Sequence, residues 1–182
     1  MLNLPNFITF IRIVAIPFFL ALLSSRHYFD ALVVFVLVAL TDALDGAVAR
    51  WMKQTTAVGA SIDPVADKLL VSSSFIWFGV IEAIPVWLVA LVISRDILIL
   101  VGYGLIYMLV EERLEVRPTM MGKLSTVFQL VTVGVVLAFL ADPRWFHPRF
   151  DDVLFIITAA TTVASGLQYL YKSLLWLQNR VS

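Results

Sequence analysis

Six apolar runs, separated by short polar connectors, take up most of this sequence. As helices, each is long enough to cross the roughly 30 Å of hydrocarbon in a bilayer. The spans are expected at about Ile8–Leu23, Asp30–Ala49, Ile62–Val80, Val86–Val110, Met120–Leu140 and Val153–Trp176. With 61% hydrophobic and 14% charged residues in 182, a soluble domain is not a comfortable reading. The sequence predicts an all-α integral membrane protein of six transmembrane helices in one domain, residues 1–182.

Several connectors have a recognisable character. Pro5 and Asn6 mark residues 1–7 as a short interfacial lead-in, and Ser24 to Phe29 as well as Glu82 to Pro85 read as turns. Residues 50–61 form a polar connector, and EERLEVRPT (111–119) is the most polar loop. Pro17 is tolerated as a kink, whereas Pro64 is expected in the first turn of its helix, where a missing N–H costs least. Tyr169, Tyr171 and Trp176 near the end of the last run resemble an aromatic belt. No basic n-region precedes the first run and Arg12 interrupts it, which argues against a signal peptide.

Charge and cysteine content exclude whole classes of function. Net charge is zero, which gives no support to nucleic-acid binding. There is no cysteine, so disulfides, thiol catalysis and cysteine-ligated zinc are ruled out. Lysines and arginines set an orientation. With the amino terminus cytoplasmic, Arg12, Arg50, Lys53, Lys68, Arg113, Arg117, Lys123, Lys172 and Arg180 fall on that side. Arg26, Arg144 and Arg149 fall on the other, and Arg95 lies within a span.

Against this apolar background, four carboxylates stand at the junction of the second and third runs. Asp42 and Asp45 are three apart and share a helical face; Asp63 and Asp67, four apart, share another. Gly46 and Gly59 remove side chains beside these faces, so a second helix or a ligand can come close. Four neighbouring aspartates repel one another and are costly to desolvate, and Arg50 and Lys68 offset only part of the charge. Hard divalent cations would offset the remainder: Mg²⁺ or Mn²⁺ suits carboxylates that also receive a phosphate. A two-metal site of this kind stabilises the attacking and leaving oxygens of an in-line displacement at phosphorus. A DxxDG segment alone is more often a solvated helix end or a loop cap, and any two of these aspartates would suit an ion carrier. An EF-hand loop is excluded by spacing.

Taken together, Asp42-x2-Asp45-Gly46-x2-Ala49-Arg50-x8-Gly59-x3-Asp63-x3-Asp67 resembles the full signature of the CDP-alcohol phosphatidyltransferase family. The likeness covers nearly the whole chain, from LNLPNFITFIRI to the last apolar run, and includes Asn6, Thr9 and Arg12. The resemblance implies a CDP-diacylglycerol donor whose diphosphate is held by metals, with Asp42, Asp45, Asp63 and Asp67 as ligands. It further implies Asp67 as the general base, with Asp63 the alternative, and a nucleotide pocket formed by Asp42, Gly46, Ala49, Arg50 and Gly59. A carboxylate beside a dication is well placed to take the acceptor's proton, and the charge on departing CMP is neutralised by metal and Arg50. The nine-to-three balance of lysines and arginines favours an active site at the cytoplasmic end of helices 2 and 3, in a bacterial-type inner membrane, and the resemblance implies a homodimer.

For the acceptor, Arg95 is the leading candidate, because an arginine within a span needs a polar cavity or a partner. Its functional reading is phosphate binding together with Lys123 and Arg117; its structural one is a pair with Asp96 or with the aspartate cluster. Interfacial snorkelling is the ordinary explanation for Lys123 and an alternative for Arg50. His27 and His147 are isolated loop residues with no expected ligand.

ISRDILILVGYGLIY, RPTMMGKLSTVFQL and TAATTVASGLQYLY resemble the CDP-alcohol-type cardiolipin synthases, whose acceptor is phosphatidylglycerol. LNLPNFITFIRI and DPVADKLL are equally similar to phosphatidylglycerophosphate synthase, whose acceptor is glycerol 3-phosphate. That subfamily carries Arg-Glu and a second arginine in the fourth span, whereas here Arg95-Asp96 stands alone before Arg113. The missing cation favours phosphatidylglycerol. A transporter or a scaffold is a different class of reading; neither needs Gly46, Arg50 and Gly59 in this register.

Overall fold

The computed structural model describes residues 4–52, 59–110, 120–145 and 150–181, with side chains over 14–41, 68–102, 120–144 and 152–175 and at Gln178. Among the described residues six α-helices follow one another: α1 (Leu4–Ser24), α2 (Tyr28–Met52), α3 (Gly59–Val80), α4 (Val86–Val110), α5 (Met120–Ala141) and α6 (Phe150–Val181). A 3₁₀ turn, Pro143–Trp145, follows α5. No strand occurs among the described residues.

The helices outrun the apolar segments that predict them. The lead-in expected over residues 1–7 is helical from Leu4, and Pro5 sits in the first turn, where its absent N–H would have no intrahelical partner. The polar connector expected over 50–61 narrows to 53–58, because α2 continues to Met52 and α3 begins at Gly59. That earlier start moves Pro64 to the sixth position of α3, beyond the four free donors, so the Ala60 carbonyl loses its helical N–H partner. Backbone hydrogen bonding continues into polar flanks, and so apolar length underestimates helix length.

Two turns use left-handed residues in place of glycine. After α1, Arg26 has φ of 59° while the His27 N–H reaches the Leu22 carbonyl at 2.9 Å, which closes the free carbonyls of the last turn. Glu82, also at φ 59°, turns the chain after α3. Pro85 then opens α4, its carbonyl accepting from Leu88 and Val89.

The chain forms two compact units. One comprises residues 1–81 and 133–147; the other, 82–132 and 148–182. In the first, α1 packs against α2 and α3, and Phe19, Leu23, Phe35, Phe75 and Phe78 are buried. Phe19 and Phe35 meet as a tilted ring pair with centroids 6.2 Å apart. In the second, α4 packs along α6, burying Leu88, Val92, Leu154 and Phe155 beside a set of polar side chains.

Large apolar side chains also point outward on every helix with described side chains, among them Phe18, Leu37, Ile76, Leu100, Val127 and Ile156. Met120–Ala141 and Asp152–Leu175 are each long and apolar enough to cross a membrane, with mean hydropathies of 2.2 and 1.6 over their most apolar windows. Only 39% and 28% of those windows are buried, unlike the core helix of a soluble protein.

Candidate functional site

The eight motif residues divide between two helices of the first unit. Asp42, Asp45, Gly46, Ala49 and Arg50 lie in the second half of α2; Gly59, Asp63 and Asp67 lie in the opening turns of α3. Asp42 and Asp45 are separated by about 4.5 Å of helix rise and Asp63 and Asp67 by about 6 Å, so each pair occupies one face of its helix. Residues 53–58 join the two helices, and the chain from Met52 to Gly59 can span at most about 25 Å. That reach keeps the end of α2 near the start of α3. The side chains of these eight residues lie outside the described ones, as do Asn6, Thr9, Arg12, Arg117 and His147.

The arginine in the middle of the fourth apolar run is buried. Arg95, in the middle of α4, is 8% exposed, with Asp96 at 5% and Ser165 of α6 at 2%. Its Nη1 donates to Asp96 Oδ1 at 2.8 Å, while Nε and Nη2 donate to Ser165 Oγ at 3.2 and 2.6 Å. The expected pairing with Asp96 is therefore present. Burial strengthens such a charge-assisted bond because less water competes for either partner. Lys123, in the first turn of α5, is exposed and belongs to the surface of the second unit.

Ser165 belongs to a longer polar seam that the sequence reading missed. Thr158, Thr162 and Ser165 recur four and three residues apart along α6; Ser125, Gln129 and Thr132 do the same on α5. All six are buried. Ser125 and Thr162 hydroxyls are 3.2 Å apart, Gln129 Nε2 lies 3.3 and 3.4 Å from both, and Thr132 meets Thr158 at 2.8 Å. Thr132 donates its proton to the Phe128 carbonyl, so Thr158 must be the donor in their mutual bond. The two spacings were visible in the sequence; what they faced was not.

The His27 imidazole lies against its own helix start, with Nδ1 3.3 Å from Asp30 Oδ2. A cavity of about 260 Å³ beside Arg26, His27, Tyr28 and Leu140 lies at the other end of α2 from the aspartates and includes none of the motif residues.

Comparison with known proteins decides what the motif belongs to. The family model described as CDP-alcohol phosphatidyltransferase matches residues 2–164. The chain belongs to the CDP-alcohol phosphatidyltransferase family. Members of this family generally depend on a divalent metal ion. The chain is 33% identical to the human cardiolipin synthase (CMP-forming) over 92% of its own length and 60% of that protein's. It is 30% identical to the CDP-diacylglycerol–glycerol-3-phosphate 3-phosphatidyltransferase of Bacillus subtilis, over 95% of this chain and 96% of the other. The probable phosphatidylglycerophosphate synthase of Mycobacterium tuberculosis strain H37Rv is 31% identical over 94% of this chain and 82% of its own. Relatives bearing the two kinds of name are thus almost equally similar, and the chain spans 60% of the human synthase's length.

Proposed function

We propose that this chain is a divalent-metal-dependent phosphatidyltransferase that moves the phosphatidyl group of CDP-diacylglycerol onto phosphatidylglycerol, yielding cardiolipin and CMP. The eight-residue motif on α2 and α3, within a family match over residues 2–164, supports the reaction class. The acceptor assignment is carried by Arg95. Its guanidinium is already paired with the Asp96 carboxylate, so this buried pair brings little net positive charge. A phosphodiester with one negative charge suits such a site better than the dianionic phosphate of glycerol 3-phosphate.

The donor set fits a hard divalent ion. All four candidate ligands, Asp42, Asp45, Asp63 and Asp67, are carboxylates, and helix spacing gives each of α2 and α3 one pair on a common face. When bound, Mg²⁺ or Mn²⁺ would neutralise the diphosphate and polarise the phosphorus under attack. The protein's own groups account for the rest of the step. A glycerol hydroxyl of the acceptor attacks the phosphatidyl phosphorus as its proton passes to the carboxylate of Asp67, or of Asp63. A new P–O bond forms, the bond between that phosphorus and the bridging diphosphate oxygen breaks, and CMP leaves beside Arg50. Gly46, Ala49 and Gly59 leave room for cytidine against the helix backbones.

In this reading all six helices span a bacterial-type inner membrane as one domain. The aspartate end lies at the cytoplasmic face, the protein is a homodimer, and Lys123 and Arg117 assist Arg95. A second reading, with glycerol 3-phosphate as acceptor, draws on the nearly full mutual coverage with the Bacillus subtilis enzyme. The discriminating experiment supplies the purified protein with CDP-diacylglycerol and either acceptor, and identifies each lipid product. Cardiolipin formation supports the first reading. Phosphatidylglycerophosphate as the sole product replaces it with the second.

A further inference from the structure

Arg95 brings five N–H donors into a buried site, and three are engaged: Nε and Nη2 by Ser165, Nη1 by Asp96. The other two, one on each terminal nitrogen, meet no acceptor among the described residues. A long, flexible side chain left to itself would sample many rotamers. Here one edge of the guanidinium is held by an oxygen on the opposing helix and another by its neighbour on α4, which fixes the plane of the group. The stem is supported too. Gly166, next to Ser165, lies close enough that a Cβ there would touch Arg95 Cγ at 3.8 Å, so the aliphatic part runs against the α6 backbone.

Ser165 is the unusual element in this arrangement. Asp96 lies one residue away and neutralises charge, which any buried arginine requires. Ser165 lies 70 residues away, carries no charge, and receives two bonds on one oxygen. A hydroxyl does little for the charge of a guanidinium but does direct it. Among the described residues, the hydroxyls of Thr158 and Thr162, on the same face of α6, bond to α5 side chains, and Ser165 alone turns this seam toward the arginine.

We propose that Ser165 is a positioning residue for acceptor recognition: it fixes the Arg95 guanidinium so that its two spare N–H groups receive the phosphate of the acceptor lipid. This rests on Arg95 being the acceptor's phosphate ligand, the reading given above. With the orientation held, the acceptor binds without first ordering the side chain. Loss of the hydroxyl therefore weakens acceptor binding and leaves the donor site untouched.

The test is steady-state kinetics in mixed micelles, varying phosphatidylglycerol and CDP-diacylglycerol separately, with thermal unfolding of every variant. Ser165→Ala is expected to raise the acceptor KM about tenfold while the donor KM stays within about twofold. Ser165→Thr, which keeps the hydroxyl, restores most of the acceptor KM. Thr158→Val, which removes a seam hydroxyl distant from Arg95, lowers the melting temperature without changing either KM. The proposal is overturned if Ser165→Ala leaves the acceptor KM unchanged, or raises both KM values equally with no recovery in Ser165→Thr. Arg95→Lys separates this inference from its premise. An unchanged acceptor KM in Arg95→Lys removes the premise; a raised one, with Ser165→Ala unaffected, removes the positioning role alone.

Discussion

Tyr169 of α6 covers Gly102 of α4 so closely that a Cβ at Gly102 would stand 2.7 Å from the tyrosine hydroxyl and 2.9 Å from Cε1. The same hydroxyl donates to the Ile99 carbonyl at 3.3 Å, which ties the ring to the helix it covers. Absence of a side chain at Gly102 is what lets α4 and α6 approach here. Gly102→Ala forces the ring away and is expected to destabilise the protein by about 1–3 kcal/mol. Gly166→Ala, whose Cβ would make an ordinary 3.8 Å contact with Arg95 Cγ, is expected to be nearly neutral. Thermal unfolding of the two variants in one detergent checks the contrast, and equal stabilities would contradict it.

Asp96 sets the charge available to an incoming phosphate. Asp96→Asn leaves Arg95 as an uncompensated buried cation, which weakens the fold but draws a dianion more strongly. The ratio of kcat/KM for glycerol 3-phosphate to that for phosphatidylglycerol is expected to rise about tenfold, or about 1.4 kcal/mol. An unchanged ratio in folded protein would show that the pair has no part in choosing the acceptor.

The seam between α5 and α6 makes a measurable contribution of its own. Thr158 donates to Thr132 at 2.8 Å, and both side chains are fully buried. A double-mutant cycle of Thr132→Val and Thr158→Val is expected to give a coupling energy near 0.6 kcal/mol, a magnitude common for hydrogen bonds between helices in membranes. Reversible unfolding in mixed micelles measures it, and strict additivity would mean the bond contributes nothing.

Outside the helices, Asp142 shapes the turn that follows α5. Its carboxylate accepts from the Arg144 backbone N–H and from the guanidinium, with the side-chain bonds the larger influence, and these hold its pKa below the ordinary carboxylate value. A lowered folded-state pKa means the turn's stabilisation is fully present above the unfolded value near 3.9 and is lost as pH falls through the folded one. Arg144→Gln should return Asp142 toward the ordinary value. Carboxyl-carbon NMR titration of both proteins checks this, and coincident midpoints would contradict it.

The bounds of α4, Val86–Val110, agree with the apolar run, because Pro85 marks its start. The other helices extend past their apolar runs, since polar residues such as Ser61, Asn179 and Arg180 carry the backbone ladder as well as apolar ones do. The Arg95–Asp96 pair was accessible to sequence reasoning because the residues are adjacent, although neighbours on a helix point about 100° apart and only the length of arginine closes the gap. Ser165 was not. Its partner is 70 residues away, and a serine in an apolar run gives no sign of what it faces. The aspartate motif was legible to the level of helix and face, which periodicity supplies; its side-chain geometry lies outside the described residues.

The most direct measurement is CMP release from CDP-diacylglycerol and phosphatidylglycerol by the purified protein, with and without a chelator, for the native chain and for Asp67→Asn. The motif's chemistry predicts release that stops on chelation, returns with Mg²⁺ or Mn²⁺, and falls by about a thousandfold or more in Asp67→Asn. CMP release that persists through chelation, or an Asp67→Asn variant as active as the native chain, would contradict metal-dependent transfer at the α2–α3 aspartates.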